Sequence, residues 1–296
     1  MKAFILITAF FLLSCNGGKE EDPIILSQSG YFKAIGKNDI KLNAPKEGEW
    51  LFEHKEKGQT FEEYKQSNPI RPNPGKAVIY LMPIGDFTVL QEKALNLTRD
   101  YVEIFFQQKT VLLKAVSDKM VPASAVRQRE DNSIQLLAPY LLDSLLKGKT
   151  PKDGIALLAI SAKDLYPRSN WNYVFGLASY TKRVGVSSIY RLQNKQLDTT
   201  NFSLCVRRLI NVSSHEIGHM MSINHCTFAK CTMNGSNSLE ETDLAPNRLC
   251  SECQKKLFWN FKYSNKQRLK ELSDFCQQNG LQEDFSILKL DWDAVK

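Results

Sequence analysis

Three of the four histidines in this 296-residue chain lie together, between His215 and His225. The first two belong to the pattern H-E-x-x-H, formed by His215, Glu216 and His219. On a helix, residues four apart lie on one face with Cβ atoms about 5–6 Å apart, so both imidazoles can reach one metal ion. Glu216 lies about 100° around the helix, where its carboxylate can act as a general base instead of a ligand. The pattern indicates a zinc-dependent hydrolase; a helix with two surface histidines is the alternative.

The third histidine constrains how this helix must end. We predict a long helix from about 201 to 221, with Thr200 or Asn201 as its N-cap. His225 lies too far beyond the helix to share its face, so it can reach the same ion only if the chain turns back. No glycine is available in 221–224 for that turn. We therefore predict a positive φ at Ser222 or Asn224.

The histidine run and the residues after it resemble one known family. From His215 the chain reads HEIGHMMSINHC, and the later positions that matter are Cys231, Met233, Cys250 and Cys253. This is similar to the archaemetzincin signature, HExxHxxGxxHCx4CxMx17CxxC, a form of the metzincin arrangement of zinc peptidases. Segments at 49–72, 77–85 and 164–179 also resemble family members, so the resemblance covers roughly 45–262. Two departures are Ser222 at the family's glycine position and one residue fewer between Met233 and Cys250.

The resemblance implies both a fold and an activity. The expected fold is α/β (α+β) and metzincin-like, with a mixed twisted sheet, an active-site helix and a smaller helical C-terminal subdomain. His215, His219 and His225 are implied to hold a catalytic zinc ion, with Glu216 as the general base for peptide-bond hydrolysis. Met233 is implied to form an apolar floor beneath the ion, although plain core packing would also explain it.

Some features of the implied activity stay open. No tyrosine follows Met233 closely, so the sequence names no side chain that would stabilise an oxyanion. Residues 184–191, just before the long helix, are expected to form the edge strand that pairs with an extended substrate.

Two other functions compete with peptidase activity. One is an exported zinc-binding or structural lipoprotein with little turnover, and the other is a zinc hydrolase of a non-peptide amide or ester.

Four cysteines have the paired spacing of a structural zinc site: Cys226, Cys231, Cys250 and Cys253. Disulfides are the competing interpretation, because the chain carries an export signal. The family resemblance favours zinc, so we expect two zinc ions per chain, one catalytic and one structural. Cys205 and Cys276 have no partners by spacing, and they are expected to be small buried residues or a disulfide pair.

The first fifteen residues predict the compartment. Lys2 is followed by an apolar run from Ala3 to Leu13, too short to span a bilayer but typical of a signal peptide. Leu12-Leu13-Ser14-Cys15 resembles the lipoprotein box, which implies a signal peptide at 1–14 and lipidation of Cys15. An ordinary signal peptide with an incidental cysteine is the alternative. We expect an exported, membrane-anchored lipoprotein on the periplasmic face or cell surface.

The hydrophobic pattern predicts alternating strands and helices. At 43% hydrophobic residues, the chain can bury one substantial core. We predict the domains as a lipidated tether or N-terminal extension at 15–44 and one metallopeptidase domain at 45–296. Its cleft is expected between a sheet subdomain (about 45–221) and a C-terminal subdomain (about 222–296). Strands are predicted at 76–86, 110–116, 154–161, 173–179 and 184–191, and further helices at 88–107, 133–146, 251–262 and 265–279.

The charge distribution limits the partners. The net charge of +7 arises from 39 basic and 32 acidic residues that are spread along the chain without a long block of one sign. Dispersed charges are typical of a solvated surface, so we expect no nucleic-acid binding. The expected partners are a peptide or protein substrate and a membrane reached only through the lipid anchor. The chain is expected to be a monomer.

Overall fold

The computed structural model describes residues 22–194 and 196–296. The predicted signal peptide at 1–14 and the predicted lipidation site Cys15 lie outside these ranges. Among the helices of the described residues, none combines the length and the apolar character needed to cross a membrane.

A five-stranded sheet forms the centre of the molecule. Its strands are β1 (Val78–Ile84), β2 (Thr110–Leu112), β5 (Gly154–Ser161), β7 (Gly176–Ala178) and β8 (Val184–Ser188). The order across the sheet is β2-β1-β5-β8-β7, and all neighbours are parallel except β7, which runs antiparallel to β8. Helix α5 (Val89–Phe106) connects β1 to β2, as a parallel pair requires a crossover. The predicted mixed α/β fold is confirmed.

One strand prediction was wrong. Residues 184–191 were expected to form the edge strand, but β8 is an interior strand, paired with β5 on one side and with β7 on the other. All five residues of β8 are buried. The chain forms β7 first, and the hairpin then returns it as β8 between β7 and β5, so β7 is the edge strand. The sequence shows two consecutive strands but not which of them lies outermost.

A smaller sheet packs beside the first. It consists of β3 (Val126–Gln128), β4 (Ile134–Leu137) and β6 (Asp164–Tyr166), in the order β3-β4-β6. The predicted helix at 133–146 therefore begins as a strand. Helical structure starts only at α6 (Ala138–Tyr140) and continues as a π-helical turn, Leu141–Leu145. Pro139 suits the first turn of a helix because the N–H that it lacks is not needed there, so it marks the start of α6.

The long helix α7 (Phe202–Met220) packs against α5, β7 and β8. Its N-cap is Asn201, one of the two predicted residues. Four helices follow: α8 (Leu239–Leu244), α9 (Ser251–Phe261), α10 (Asn265–Gln278) and α11 (Gln282–Val295). The predictions for α9 and α10 are confirmed, whereas α8 and α11 were missed.

The N-terminal residues are part of the same core. From residue 22 onward, four short helices precede β1: α1 (Pro23–Leu26), α2 (Ser29–Gly36), α3 (Trp50–Glu53) and α4 (Phe61–Gln66). Helix α2 packs against α9 and α11 and buries Phe32 and Ile35. The buried Arg248 joins this region to the C-terminus by pairing with Asp39 and Asp291. The packed fold thus begins before residue 45, earlier than the boundary predicted for the metallopeptidase domain.

Candidate active site

Helix α7 brings the first two histidines together. His215 and His219 lie one turn apart, and their Nε2 atoms are 2.9 Å from each other. His225 joins them from beyond the helix, with its ring centroid 5.2 Å from that of His215 and 4.8 Å from that of His219. One ligand atom from each residue lies within 4.8 Å of the other two. The structure therefore assembles all three predicted histidines into one cluster.

Each imidazole is oriented by a hydrogen bond from its Nδ1 atom. His215 Nδ1 donates to the Thr232 carbonyl at 2.8 Å, and His219 Nδ1 donates to the Ile223 carbonyl at 2.7 Å. His225 Nδ1 lies 3.0 Å from the Glu56 carboxylate. A proton on each Nδ1 leaves a lone pair on each Nε2, which is the ligand form of histidine.

Burial keeps two of these imidazoles neutral. Desolvation, reinforced by His225, lowers the pKa of His215 to about 3. Desolvation and the two neighbouring histidines hold the pKa of His219 well below its ordinary value. Two lone pairs facing each other at 2.9 Å repel unless a cation lies between them. The three histidines thus fit a zinc ion, which binds neutral imidazole nitrogens.

The turn that delivers His225 depends on Ser222. Its φ is +67°, so the predicted left-handed residue is confirmed at this position. The turn is held from outside by the N-terminal segment: Gln59 Nε2 donates to the Ser222 carbonyl, and the Tyr64 hydroxyl donates to the Met221 carbonyl. The backbone carbonyls of Met221, Ser222 and Ile223 all accept hydrogen bonds in this turn, and these bonds offset the steric cost of a left-handed serine.

Met233 lies against the helix between the two histidines. It is buried, and a Cβ atom added at Gly218 would stand only 2.5 Å from the Met233 sulfur. The Met233 carbonyl accepts a hydrogen bond from the backbone N–H of Cys226, at 2.7 Å. The glycine of the H-E-I-G-H run thus allows the methionine to approach the helix where the histidines project.

Glu216 lies beneath the edge strand. It is only 6% exposed, and burial raises its pKa to about 8. A Cβ atom added at Gly176 of β7 would stand 2.4 Å from Glu216 Oε1. The strand and the carboxyl group therefore touch, and only glycine fits at this point of β7. The contact places a buried acid at the edge where another strand could pair.

An open cleft of about 770 Å³ runs past these groups. Residues of β7, the loop after β6 and the segment 234–237 line it together with His215, Glu216 and His219. Arg127 of the small sheet holds the loop in place by donating to the carbonyls of Ser169, Trp171 and Asn172. The small sheet thus supports one wall of the cleft.

Three residues of the site were missed in the sequence. Glu56 contacts His225, the Trp50 ring lies 4.9 Å from the His225 ring, and Tyr180 Oη lies 2.9 Å from His219 Nδ1. Trp50 and Glu56 fall in the 49–72 segment that resembles the family, which was the only available signal. No spacing rule connects any of the three to the histidines.

The four predicted cysteines form a second cluster. Cys226, Cys231, Cys250 and Cys253 are all buried, and their sulfur atoms lie within 4.8 Å of one another. The backbone N–H of Cys250 donates to Cys231 Sγ at 3.3 Å. This set of four converging sulfurs fits a tetrahedral zinc site.

The thiols of this cluster cannot all ionise without a cation. Hydrogen bonds from the other three thiols hold the pKa of Cys226 below its ordinary value. Burial and its thiol partners raise the pKa of Cys231, and thiol partners and burial raise the pKa of Cys253. A buried divalent cation would stabilise all four thiolates.

The described cysteines form no disulfide with one another. Cys226 and Cys250 approach to 3.6 Å between sulfurs, longer than the roughly 2.05 Å of an S–S bond. Cys205 and Cys276 are both buried free thiols, so the first of the two expectations for them is confirmed. Burial raises the pKa of the Cys205 thiol to about 12.

Comparison with known proteins gives consistent matches. The model of the family described as "Peptidase family M54" matches residues 135–258. Archaemetzincin-2 from Pongo abelii is 31% identical over 269 residues, a match that covers 79% of this chain and 72% of the relative. Archaemetzincin from Thermococcus kodakarensis is 29% identical over 184 residues, covering 62% of this chain and 96% of the relative. The crystal structure of archaemetzincin from Methanopyrus kandleri superposes with a TM-score of 0.52 at 26% identity, covering 65% of this chain and 99% of that one.

Proposed function

Because this chain belongs to the archaemetzincin family of zinc metallopeptidases, we propose that His215, His219, His225 and Glu216 form the site where it hydrolyses peptide bonds. The observation that carries the proposal is the convergence of three imidazoles beside a buried carboxyl group, directly under an edge strand. A helix with two incidental histidines would not require this arrangement.

The three histidines would hold the catalytic zinc ion through their Nε2 atoms, since each Nδ1 is engaged elsewhere. When bound, zinc supplies a Lewis acid that polarises a carbonyl and lowers the pKa of water. The protein contributes by burying His215 and His219, which keeps them neutral, and by aiming all three imidazoles inward. Thr232, Ile223 and Glu56 perform this second task through the Nδ1 hydrogen bonds.

Glu216 would be the general base. Burial raises its pKa to about 8, and a neighbouring dication would lower that pKa again, so the group would be ionised near neutral pH. Its carboxylate accepts a proton from the attacking water while the water oxygen bonds to the carbonyl carbon. The same proton then passes to the nitrogen of the leaving amine as the C–N bond breaks.

The edge strand β7 would bind the substrate backbone. It lies at the end of the sheet, and all three of its residues line the cleft. An extended peptide that pairs with β7 becomes a further strand and passes over Glu216. Peptides or proteins are therefore the proposed substrates.

The four cysteines would hold a second, structural zinc ion, for a total of two per chain. Support comes from the convergence and complete burial of the four sulfurs. Native mass spectrometry of the purified full chain should find both ions. A single ion together with a mapped Cys226–Cys231 or Cys250–Cys253 disulfide would refute the structural site.

We also propose that the enzyme is exported and anchored through a lipidated Cys15, on the strength of the Leu12–Cys15 pattern. Cys15→Ala should release the protein from the membrane fraction or leave the signal peptide uncleaved. Mass spectrometry of the mature N-terminus checks the modification directly. An unmodified Cys15 in a membrane-free mature protein would contradict the proposal.

Zinc analysis combined with a peptide-library digest of the full chain tests the activity. We expect cleavage products that disappear when zinc is removed and return when zinc is restored. Zinc binding with no cleavage of any peptide would favour a structural zinc lipoprotein. Cleavage confined to esters or non-peptide amides would favour the other hydrolase.

A further inference from the structure

Tyr180 occupies a defined position at the mouth of the catalytic cleft. It follows β7 directly, in the tight turn that joins β7 to β8. The turn is closed by the backbone N–H of Ser179 donating to the Val184 carbonyl and by the N–H of Lys182 donating to Ser179 Oγ. Lys182 also pairs with Asp143 at 2.7 Å. The hairpin therefore presents the phenol of Tyr180 to the cleft, which its side chain helps to line.

Tyr180 is 41% exposed, and the contact of its hydroxyl with His219 does not use the hydroxyl proton. Its Oη lies 2.9 Å from His219 Nδ1, but that nitrogen already donates its proton to the Ile223 carbonyl at 2.7 Å. With Nε2 facing the metal site, Nδ1 carries hydrogen and cannot accept one. Tyr180 Oη can then only share the Nδ1 proton as an acceptor. Among residues 22–194 and 196–296, no other group hydrogen-bonds Oη, so its own O–H is left free.

A phenol carries its proton near neutral pH, because its ordinary pKa is about 10. Packing explains the Tyr180 ring, which lies 5.0 Å from the His219 ring. The hydroxyl oxygen can serve as a second acceptor for the His219 Nδ1 proton, and this contact does not use the O–H of Tyr180 itself.

We propose that Tyr180 donates a hydrogen bond to the oxygen of the scissile carbonyl as negative charge develops there. The inference rests on the proposed peptidase function. Attack by the water oxygen moves the carbonyl π electrons onto this oxygen, and the Tyr180 O–H stabilises it without giving up its proton. The edge-strand hairpin would thus supply the oxyanion donor that the segment after Met233 lacks. Donors of this kind act in the transition state more than in the ground state.

Tyr180→Phe removes the hydroxyl and keeps the ring. We expect kcat to fall by about 10²–10³-fold with KM changed little, because an oxyanion donor acts mainly in the transition state. Zinc content should be unchanged. The affinity for a phosphinic peptide, a tetrahedral analogue, should fall by a similar factor, whereas the affinity for a cleaved product peptide should not. Tyr190→Phe, which removes a phenol outside the cleft, is the matched control and should behave like the wild type.

Two results would overturn the inference: a Tyr180→Phe enzyme with kcat within twofold of wild type, or equal losses of affinity for the phosphinic peptide and the product. Loss of zinc in Tyr180→Phe would assign the residue to the support of His219 instead, and would also overturn it. If the wild-type enzyme cleaves no peptide, the proposed function fails, and the phosphinic peptide still decides the role of Tyr180 by binding.

Discussion

The two ligand clusters of this protein are neighbours in the chain but differ in their access to solvent. His225 belongs to one cluster and Cys226, the next residue, to the other. The cysteine cluster is closed: four sulfurs converge, and none of the four residues is more than 5% exposed. The histidine cluster has only three ligands and opens into a cleft of about 770 Å³. A closed four-ligand site suits a structural ion, whereas three ligands beside a cleft leave room for substrate.

The clusters also share backbone. Thr232, whose carbonyl orients His215, directly follows Cys231 of the cysteine cluster and precedes Met233, which packs against Gly218 of the active-site helix. The cysteine cluster therefore positions two parts of the catalytic site: His225, which precedes Cys226, and the Thr232 carbonyl, which follows Cys231. We expect the cysteine cluster to survive the loss of one catalytic ligand, because Asn234 also holds its backbone by accepting from the Cys231 N–H and donating to the Cys226 carbonyl.

The largest effect should come from Glu216→Gln. The substitution keeps the size of the side chain but removes the base, so turnover should fall by about 10³-fold or more while both zinc ions remain. Steady-state kinetics and metal analysis of the same sample check this. Loss of the catalytic zinc in this variant would mean that Glu216 is itself a ligand. It would contradict the assignment of three histidines as the ligands and Glu216 as the base.

The dependence between the clusters should appear in Cys253→Ser. Without the fourth sulfur, we expect loss of the structural ion and displacement of His225 and Thr232, so that zinc is lost from both sites. The thermal midpoint should fall by roughly 10 °C or more. His219→Ala should lose only the catalytic ion and unfold near the wild-type temperature.

Cys205→Ala, at a buried thiol outside both clusters, is the control for Cys253→Ser and should retain both ions. Native mass spectrometry and calorimetry distinguish the variants. A Cys253→Ser protein with an intact catalytic ion and normal activity would show that the two clusters are independent.

A smaller effect is expected for Gly176→Ala. The new methyl group would stand 2.4 Å from Glu216 Oε1, so either β7 or the carboxylate must move. We expect kcat/KM to fall by about tenfold to a hundredfold, because a small misplacement of a catalytic group is costly. Gly30→Ala is the comparison, since its added Cβ meets nothing within 4 Å. Equal activity in both variants would contradict the contact between β7 and the base.

The smallest effect should be that of Ser222→Gly. The residue has φ +67°, a conformation that glycine adopts without the steric cost borne by serine. We expect the protein to be unchanged or stabilised by up to about 1 kcal/mol, with zinc retained. Chemical denaturation measures the difference. A clear loss of stability would show that the serine side chain contributes to the turn that delivers His225.

The sequence predicted best where the relevant contacts are local or spaced by a rule. Residues His215 and His219 follow from helical periodicity, and the turn at Ser222 follows from the need to bring His225 back. The strand at 154–161 and the helices at 251–262 and 265–279 are correct because their hydrophobic patterns are long and regular. The helix predicted at 133–146 fails because three of its residues, 135–137, pair with distant β6, which overrides a leucine-rich local pattern.

Tertiary structure decided which residues surround the ligands. Glu56 reaches His225 across 169 positions of sequence, and Tyr180 reaches His219 across 39. The choice of β7 instead of β8 as the edge strand depends on the pairing of β8 with distant β5, which the hydrophobic pattern does not encode. By itself the sequence determined which histidines and cysteines converge into two clusters, because a metal site requires particular side chains at helical and turn spacings. The orientation of those ligands, the donor beside them and the strand above the base arise only when segments far apart in the chain pack together, because such contacts carry no fixed spacing.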